Sequence, residues 1–154
     1  GAHGPTIVRY ERGGNPLHVN LHVGTVMSLE TTSTGRVFSA FLDEPSLAAM
    51  LERQGLVQPR TIAGSGEARA DKQASLDAIR RRRLARSVDM PSPGISSMSV
   101  PVLDADEHLL LALTVIGPSG AMDTSWDGTI AHEMTETANR IMQALLHRTP
   151  THAV

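Results

Sequence analysis

The chain has 154 residues, a formal net charge of −2, 40% hydrophobic and 19% charged residues, a composition that suits one globular domain and excludes a disordered segment. The charge balance provides no strongly basic face for nucleic acid, and no apolar run is long enough to cross a membrane. Because the sequence has no cysteine, disulfides, a thiolate nucleophile and a thiolate zinc site are also excluded.

The first segment predicts two β-strands joined by a turn. Thr6–Tyr10 is apolar and β-branched, Arg12–Pro16 is rich in glycine, and Leu17–Val23 alternates apolar and polar residues. Because no capping element precedes the first strand, we interpret the chain as a piece cut within a sheet. His18 and His22 share one face of the second strand about 13 Å apart. That spacing is too long for one metal ion, and we predict no metal site.

The stretch Gly24–Leu42 combines strand-like residues, a polar turn and a helix. Thr31–Gly35 predicts the turn and the helix start, and apolar residues in Val37–Leu42 recur at helical spacing. The first backbone N–H groups of a helix are unpaired. Together with the guanidinium of Arg36 they could hold a small anion. The alternative is a capped helix that binds nothing.

Two further helices are predicted in the middle of the chain. The first follows a cap at Asp43 or Glu44 and ends at Gly55, and the second covers Asp71–Arg86 after a polar loop over Val57–Arg69. The run Arg80–Arg83 spreads around the helix axis. It therefore predicts a solvated face with acidic partners rather than a DNA-binding patch.

Two strands and a long helix are predicted at the end of the chain. Ile95–Leu103 contains Pro101, which indicates an edge strand or a bulge. Leu109–Ile116 is almost continuously apolar, which favours a strand that is buried on both faces or central. Ser125–His147 is amphipathic, with Trp126 at its base. This order of elements predicts an α+β fold with an antiparallel sheet and helices packed on its faces.

Four blocks of sequence, taken in order, carry a family resemblance. They are Gly24–Leu42, Pro59–Ile62, Ile79–Ala85 and Gly94–Pro118. Together they resemble the effector-binding domain of the IclR family of bacterial transcription regulators. Arg36 replaces the family's lysine and keeps its charge, whereas Arg83 and the turn Asp106–His108 stand where the family has glycines.

The resemblance implies a GAF-like or profilin-like fold, truncated at its N-terminus, with residues 1–154 as one effector-binding domain. The family's N-terminal winged helix-turn-helix and the first part of this domain would be absent from the chain. The resemblance further implies a cytoplasmic homodimer or tetramer with no membrane contact and no cofactor. Such a protein contacts DNA only through the absent domain.

Carried over by position, the resemblance also implies a pocket for a small organic carboxylate or aromatic acid. Its lining would be Met27, Leu29, Thr34, Gly35, Arg36, Asp89, Ser97, Ser99, Thr114 and Ile116. Each residue also has an ordinary structural explanation: for example, Thr114 can bond to a backbone carbonyl, and Asp89 can cap a turn or pair with an arginine. The alternative function is a dimerisation module with no ligand. An enzyme is disfavoured because no nucleophile elbow, phosphate loop, metal cluster or thiol is present.

Overall fold

A computed structural model of the chain describes residues 2–14, 17, 19–56 and 66–146. His18 and the block Pro59–Ile62 lie outside these residues. The described elements are α1 (Ser33–Phe41), α2 (Glu44–Arg53), α3 (Gly66–Arg82), β1 (Ala85–Ser87), β2 (Ile95–Leu103), β3 (Leu109–Pro118) and α4 (Thr129–Leu146). None of these helices combines the length and apolar character needed to span a lipid bilayer.

The three described strands form one antiparallel sheet in the order β1-β2-β3. β2 pairs with β3 along its whole length, and the register shifts between Val102 and Leu103. β1 is short and pairs only with Ser97–Ser99 of β2. The arrangement confirms the predicted α+β class with an antiparallel sheet, and it confirms the predicted bounds of the strand Ile95–Leu103.

The edge position predicted for Pro101 is wrong, whereas the alternative of a bulge agrees with the register shift after Val102, and the position predicted for β3 is also wrong. Pro101 lies in the central strand, and β1 does not extend far enough to pair with it. A proline without a backbone N–H is therefore tolerated there, one residue before the register shift. β3 was expected to be central but is an outer strand of the described sheet, with Leu110 49% and Val115 37% exposed. An apolar sequence indicates that the two faces of a strand are covered. It does not indicate whether both edges of the strand are paired with neighbouring strands.

Helices cover both faces of β2, and successive side chains of a strand point to opposite faces. On one face Met98, Val100 and Val102 pack with Ala131, Met134 and Ala138 of α4. On the other face Ser97 and Ser99 meet α1. A smaller apolar cluster joins α1 to α3 and to the start of β1 through Val37, Ala40, Ile79 and Ala85. The core is thus two layers of helix with the sheet between them.

The predicted hairpin at the start of the chain is wrong for the described residues. Pro5–Ile7 instead runs antiparallel to Gly24–Met27, with backbone N···O distances of 2.7 to 2.9 Å. Val8, next along the chain, is 78% exposed. An isolated two-stranded ribbon is marginal in water without a third strand or a packed face, and the alternating pattern of Leu17–Val23 does not supply either.

The predicted boundaries of the helices are partly confirmed. Asp43 caps α2 by accepting from the Ser46 backbone N–H at 2.9 Å, and Gly55 follows the helix with a φ of +67°. α3 ends at Arg82, four residues before the predicted end, because the chain turns there and enters β1. α4 begins at Thr129, four residues later than predicted.

Two residues that stand where the resemblance expects glycines keep a left-handed backbone. Arg83 has a φ of +51° and Glu107 a φ of +65°, a conformation that costs a residue with a Cβ about 1 kcal/mol. The Arg83 Nη2 atom donates to both Glu107 carboxylate oxygens, at 2.8 and 2.6 Å. The pair joins the end of α3 to the turn between β2 and β3, although both side chains are exposed, so its contribution to stability is small.

Gly35 in α1 allows the helix to lie against the preceding segment. A Cβ placed on Gly35 would overlap the carbonyl oxygen of Ser28 and lie 2.5 Å from the Cα of Leu29. Both neighbours are backbone atoms, so they cannot move aside as a flexible side chain would. A residue predicted to line a pocket therefore has a packing reason to be glycine.

We expect Gly35→Ala to lower the free energy of unfolding by about 2 kcal/mol or more, because the added methyl group forces α1 away from the Ser28–Leu29 backbone. Urea denaturation followed by circular dichroism measures this change. Gly13→Ala is the matched control, since a Cβ there meets no atom within 4 Å. Equal stability of the two variants would contradict the close approach.

Candidate functional site

The start of α1 is held by a cap and by a preceding turn. Thr32 is the N-cap residue, and its Oγ1 accepts from the backbone N–H of Gly35 at 3.0 Å. The same hydroxyl donates to the carbonyl oxygen of Ser28 at 2.7 Å. The helix start predicted from the polar turn is confirmed, and its direction is fixed by these two bonds.

Below this helix start lies a group of hydroxyls that we call the hydroxyl cluster: Ser33, Thr34, Ser97, Ser99 and Thr114. The Ser33 Oγ lies 2.7 Å from the Ser97 Oγ and 2.8 Å from the Ser99 Oγ. The Thr34 Oγ1 lies 2.8 Å from the Thr114 Oγ1, which in turn lies 2.7 Å from the Ser99 Oγ. Four residues predicted to line a pocket, all but Ser33, are thus brought together from α1, β2 and β3.

The hydroxyl cluster satisfies itself. A hydroxyl donates one hydrogen bond and accepts up to two, and a fifth, longer contact of 3.5 Å joins Thr34 to Ser99. The five hydroxyls have one donor hydrogen each, and the five oxygen–oxygen contacts among them are enough to give every hydrogen an acceptor. Among the described residues no buried side-chain polar atom lacks a partner. The visible role of the cluster is to tie α1 to the two long strands.

The predicted apolar wall lies beside the cluster. Leu29 is buried, and its backbone N–H donates to the Gln54 side-chain oxygen at 3.1 Å, while the Gln54 amide nitrogen donates to the carbonyl oxygen of Met27 at 3.1 Å. Ile116 pairs with Ser97 across the sheet and so shares the face that α1 covers. Of these residues, Leu29 lies against Gly35 at the start of α1, and the role of all three in a pocket stays a prediction.

The Arg36 side chain forms no hydrogen bond with the hydroxyl cluster and lines a cavity on the other side of α1. Its Nη1 donates to the backbone carbonyl oxygen of Arg86 at 3.2 Å. The cavity, which we call the arginine cavity, has a volume of about 430 Å³ and lies where α1, α3 and β1 meet the segment before α4. Its charged and aromatic lining is Arg36, Arg82, Arg86 and Trp126.

The guanidinium groups of Arg82 and Arg86 both lie against the indole ring of Trp126. Their Cζ atoms are 4.9 and 4.1 Å from the ring centroid, within the range of cation–π attraction. Arg86 also donates to the carbonyl oxygen of Thr124 at 2.9 Å. The described lining contains three guanidinium groups and no carboxylate, so it carries a net positive charge, which favours an anion over a cation.

The other arginines of the basic run have ordinary partners. Arg80 donates to the Asp77 carboxylate at 2.6 Å and to the carbonyl of Ala40, and Arg83 pairs with Glu107. Arg81 is exposed. The prediction that the run does not form one patch is confirmed, but Arg82 was assigned to solvent and in fact lines the arginine cavity.

Asp89 lies apart from the other predicted pocket residues. Its Oδ1 accepts from the Ser119 hydroxyl at 2.6 Å and from the backbone N–H of Gly94 at 2.9 Å. The Ser119 hydroxyl bond, followed by the Gly94 N–H bond, lowers the pKa of the Asp89 carboxyl below its ordinary value. The exposed carboxylate joins the loop before β2 to the end of β3.

Possible metal ligands lie in the turn between β2 and β3. Oxygen and nitrogen atoms of Asp104, Asp106 and His108 come within 4.8 Å of one another. The Asp104 Oδ1 already accepts from the backbone N–H groups of Asp106 and His108, both at 2.9 Å. These bonds explain the turn without an ion.

Sequence reasoning missed Ser33, Arg86 and Trp126 as members of these groups. Arg86 was placed at the end of a helix, whereas the change of φ at Arg83 puts it in a strand. Trp126 was placed within the last helix, whereas it precedes α4. In the sequence, β1 is only the alternation of a charged residue with two small ones over Ala85–Ser87, and three residues are too few to predict a strand.

The sequence also matches a known protein family. The sequence profile of the bacterial transcriptional regulator IclR C-terminal domain matches residues 5–143. The chain therefore belongs to the IclR family and corresponds to its C-terminal domain. A search of curated proteins found no match.

Solved structures of regulators share the fold. HmgR from Pseudomonas aeruginosa superposes with a TM-score of 0.79 at 30% identity over 94% of this chain and 56% of its own. IclR from Thermotoga maritima gives 0.67 at 21% identity over 88% and 54%. A double mutant of the PobR inducer-binding domain from Acinetobacter, in complex with 3-hydroxybenzoic acid, gives 0.62 at 24% over 82% and 74%. The chain spans about half the length of the first and second of these relatives.

We expect Ser33→Ala to destabilise the domain by about 1–3 kcal/mol, because it leaves the buried Ser97 hydroxyl without the partner it has here. Denaturant unfolding measures the change, and Ser92→Ala, an exposed serine, is the control. A difference between the two variants below about 0.5 kcal/mol would mean that the hydroxyl cluster does not hold α1.

We expect the Asp89 carboxyl to titrate below its ordinary value of 3.8. The lowered pKa in the folded state means that Asp89 adds to stability above pH 3.8 and that this contribution is lost as the pH falls through the folded-state value. NMR titration of the carboxyl carbon measures the pKa in the intact domain and in Ser119→Ala. A carboxyl that titrates at the same pH in both proteins would rule out the Ser119 bond as the cause.

Proposed function

We propose that this chain is the effector-binding domain of a longer transcription regulator, and that a small organic carboxylate binds in the arginine cavity beside Arg36. The observation that carries the proposal is the cavity itself: about 430 Å³, with Arg36, Arg82 and Arg86 in its lining. Ligand pockets for small molecules have volumes of about 300–1,000 Å³. The guanidinium group is the side chain that best matches a carboxylate, since it donates two parallel N–H bonds.

The apolar lining supports an organic ligand over a simple inorganic ion. Ile79 and Leu84 are buried, and Val88 and Met90 contribute further apolar surface. Trp126 adds a ring face on which a planar acid could stack. The complex of the PobR domain with 3-hydroxybenzoic acid supports an aromatic acid as the class, in agreement with the carboxylate or aromatic acid expected from the sequence.

The hydroxyl cluster belongs to this proposal as the element that positions Arg36. Arg36 lies two residues after Thr34 in α1, and the cluster fixes that helix turn to the sheet. We therefore assign Thr34, Ser97, Ser99 and Thr114 a positioning role, with the ligand on the Arg36 side of the helix. Met27, Leu29, Gly35 and Ile116 complete the packing around that turn.

The ligand would act on DNA through another part of the regulator. We propose that the regulator is a cytoplasmic dimer or tetramer whose DNA-binding domains lie outside this chain. A ligand that binds two arrangements of the subunits with different affinity shifts their populations and so changes affinity for the operator. The domain itself then needs no contact with nucleic acid.

We expect Arg36→Gln to weaken binding of 3-hydroxybenzoate or benzoate about tenfold to a hundredfold, because a hydrogen bond to a charged group contributes about 1.5–3 kcal/mol. Calorimetric titration measures affinity, and a thermal melt with millimolar acid provides an independent readout, since a ligand that binds only the folded state raises the melting temperature.

Arg81→Gln is the control, because it removes the same charge from an exposed site outside the cavity lining. Arg36→Gln should lower the free energy of unfolding by no more than about 1.5 kcal/mol, because it removes one part-buried hydrogen bond to the Arg86 carbonyl. If no organic carboxylate in a broad set shifts the melting temperature at millimolar concentration, the proposed function is wrong. The domain would then be the dimerisation module considered from the sequence.

A further inference from the structure

We infer that the ligand of the arginine cavity is a dianion with two separated carboxylates on an apolar body. The inference rests on the proposed function and extends it from one carboxylate to two. It follows from the number and placement of the guanidinium groups, which exceed what a monoanion can neutralise. The positions of the apolar residues then set the body that joins the two charges.

The charge in the cavity is uncompensated among the described residues. Arg9, Arg80 and Arg83 each have a carboxylate within salt-bridge distance. Arg36, Arg82 and Arg86 have none within the described part of the chain, and carbonyl oxygens and an indole ring are their visible partners. A single carboxylate leaves two of the three charges unneutralised, whereas a dianion leaves one.

The three groups have different partners, which favours two carboxylates over one compact anion. Arg82 and Arg86 share the ring of Trp126, with their Cζ atoms 4.9 and 4.1 Å from its centroid. Arg36 instead projects from α1 and is held at the backbone of β1 by its bond to the Arg86 carbonyl. One carboxylate can meet the pair on the indole while the second meets Arg36.

Buried apolar residues favour a hydrocarbon body between these points. Ile79 and Leu84 are 6% and 3% exposed and line the cavity together with the arginines. A phosphate ion or another compact dianion would leave this surface unfilled. A short dicarboxylate with a ring or an alkyl chain fills it and places its charges at the two ends.

The experiment compares acids of one shape and different charge. The three benzenedicarboxylates are titrated against the domain beside benzoate, the mono-amide of each diacid and inorganic phosphate, with affinity measured by calorimetry. Trp126 is the single tryptophan of the chain, so its fluorescence reports occupancy of the cavity directly. We expect at least one dicarboxylate to bind about tenfold or more tightly than its mono-amide, with a difference that shrinks as salt is added.

Two variants locate the second charge. Arg82→Gln should remove most of the preference for the dicarboxylate over the mono-amide and change benzoate binding less. Arg82 is exposed, so the substitution should leave the fold intact. Arg81→Gln, the neighbouring exposed arginine outside the lining, should keep the full preference.

The outcomes separate the inference from the proposed function. If a mono-amide or phosphate binds as tightly as every dicarboxylate, the two-carboxylate ligand is wrong while the carboxylate site stands. If the preference for the dicarboxylate persists in Arg82→Gln, Arg82 does not hold the second carboxylate as inferred and the inference fails. If no acid binds the unmodified domain, both the inference and the proposed function fail.

Discussion

Helix α1 can lie on the sheet only because Gly35 has no side chain to strike the Ser28–Leu29 backbone and because the hydroxyl cluster continues from the helix into β2 and β3. Ser33 is 0% exposed, so the cluster is a buried polar group that is stable only when each hydroxyl has its partner. The hydrogen bonds fix the rotation of α1 as well as its distance from the sheet. Arg36 therefore reaches the arginine cavity from a helix that has no freedom to turn.

The same constraint divides the residues that the resemblance assigned to one pocket. The small side chains of the hydroxyl cluster fill the space between α1 and the sheet. The larger cationic side chain of Arg36 lies on the other side of the helix, toward α3 and β1. The short strand β1 completes that side, because its backbone accepts a bond from Arg36 while the Arg86 side chain reaches the segment before α4. One rigid unit thus joins the sheet, α1 and the entrance of α4. A ligand in the arginine cavity would contact three elements that the hydroxyl cluster and the core hold together.

Sequence reasoning recovered what depends on local pattern and missed what depends on contacts between distant segments. The start of α1, the cap of α2, the strand Ile95–Leu103 and the α+β class follow from neighbouring residues and were confirmed. The edge position of β3 and the site of Trp126 depend on which segments meet, and no local pattern encodes that. Arg83 is the clearest case. A left-handed backbone at a residue other than glycine ended α3 early and started β1, a change that helical periodicity cannot reveal because arginine is an excellent helix former.

The arginines of α3 also illustrate why a cluster of like charge can remain without acidic partners. Arg80 and Arg83 meet carboxylates at the surface, where such pairs contribute little to stability. Arg82 instead lies against an indole ring, where the guanidinium keeps its donors free while its planar face is supported. A group held in this way loses less conformational entropy when an anion arrives than a solvated side chain does, and no existing ion pair has to break. The aromatic ring therefore holds guanidinium groups of the basic helix end in place before any anion is bound.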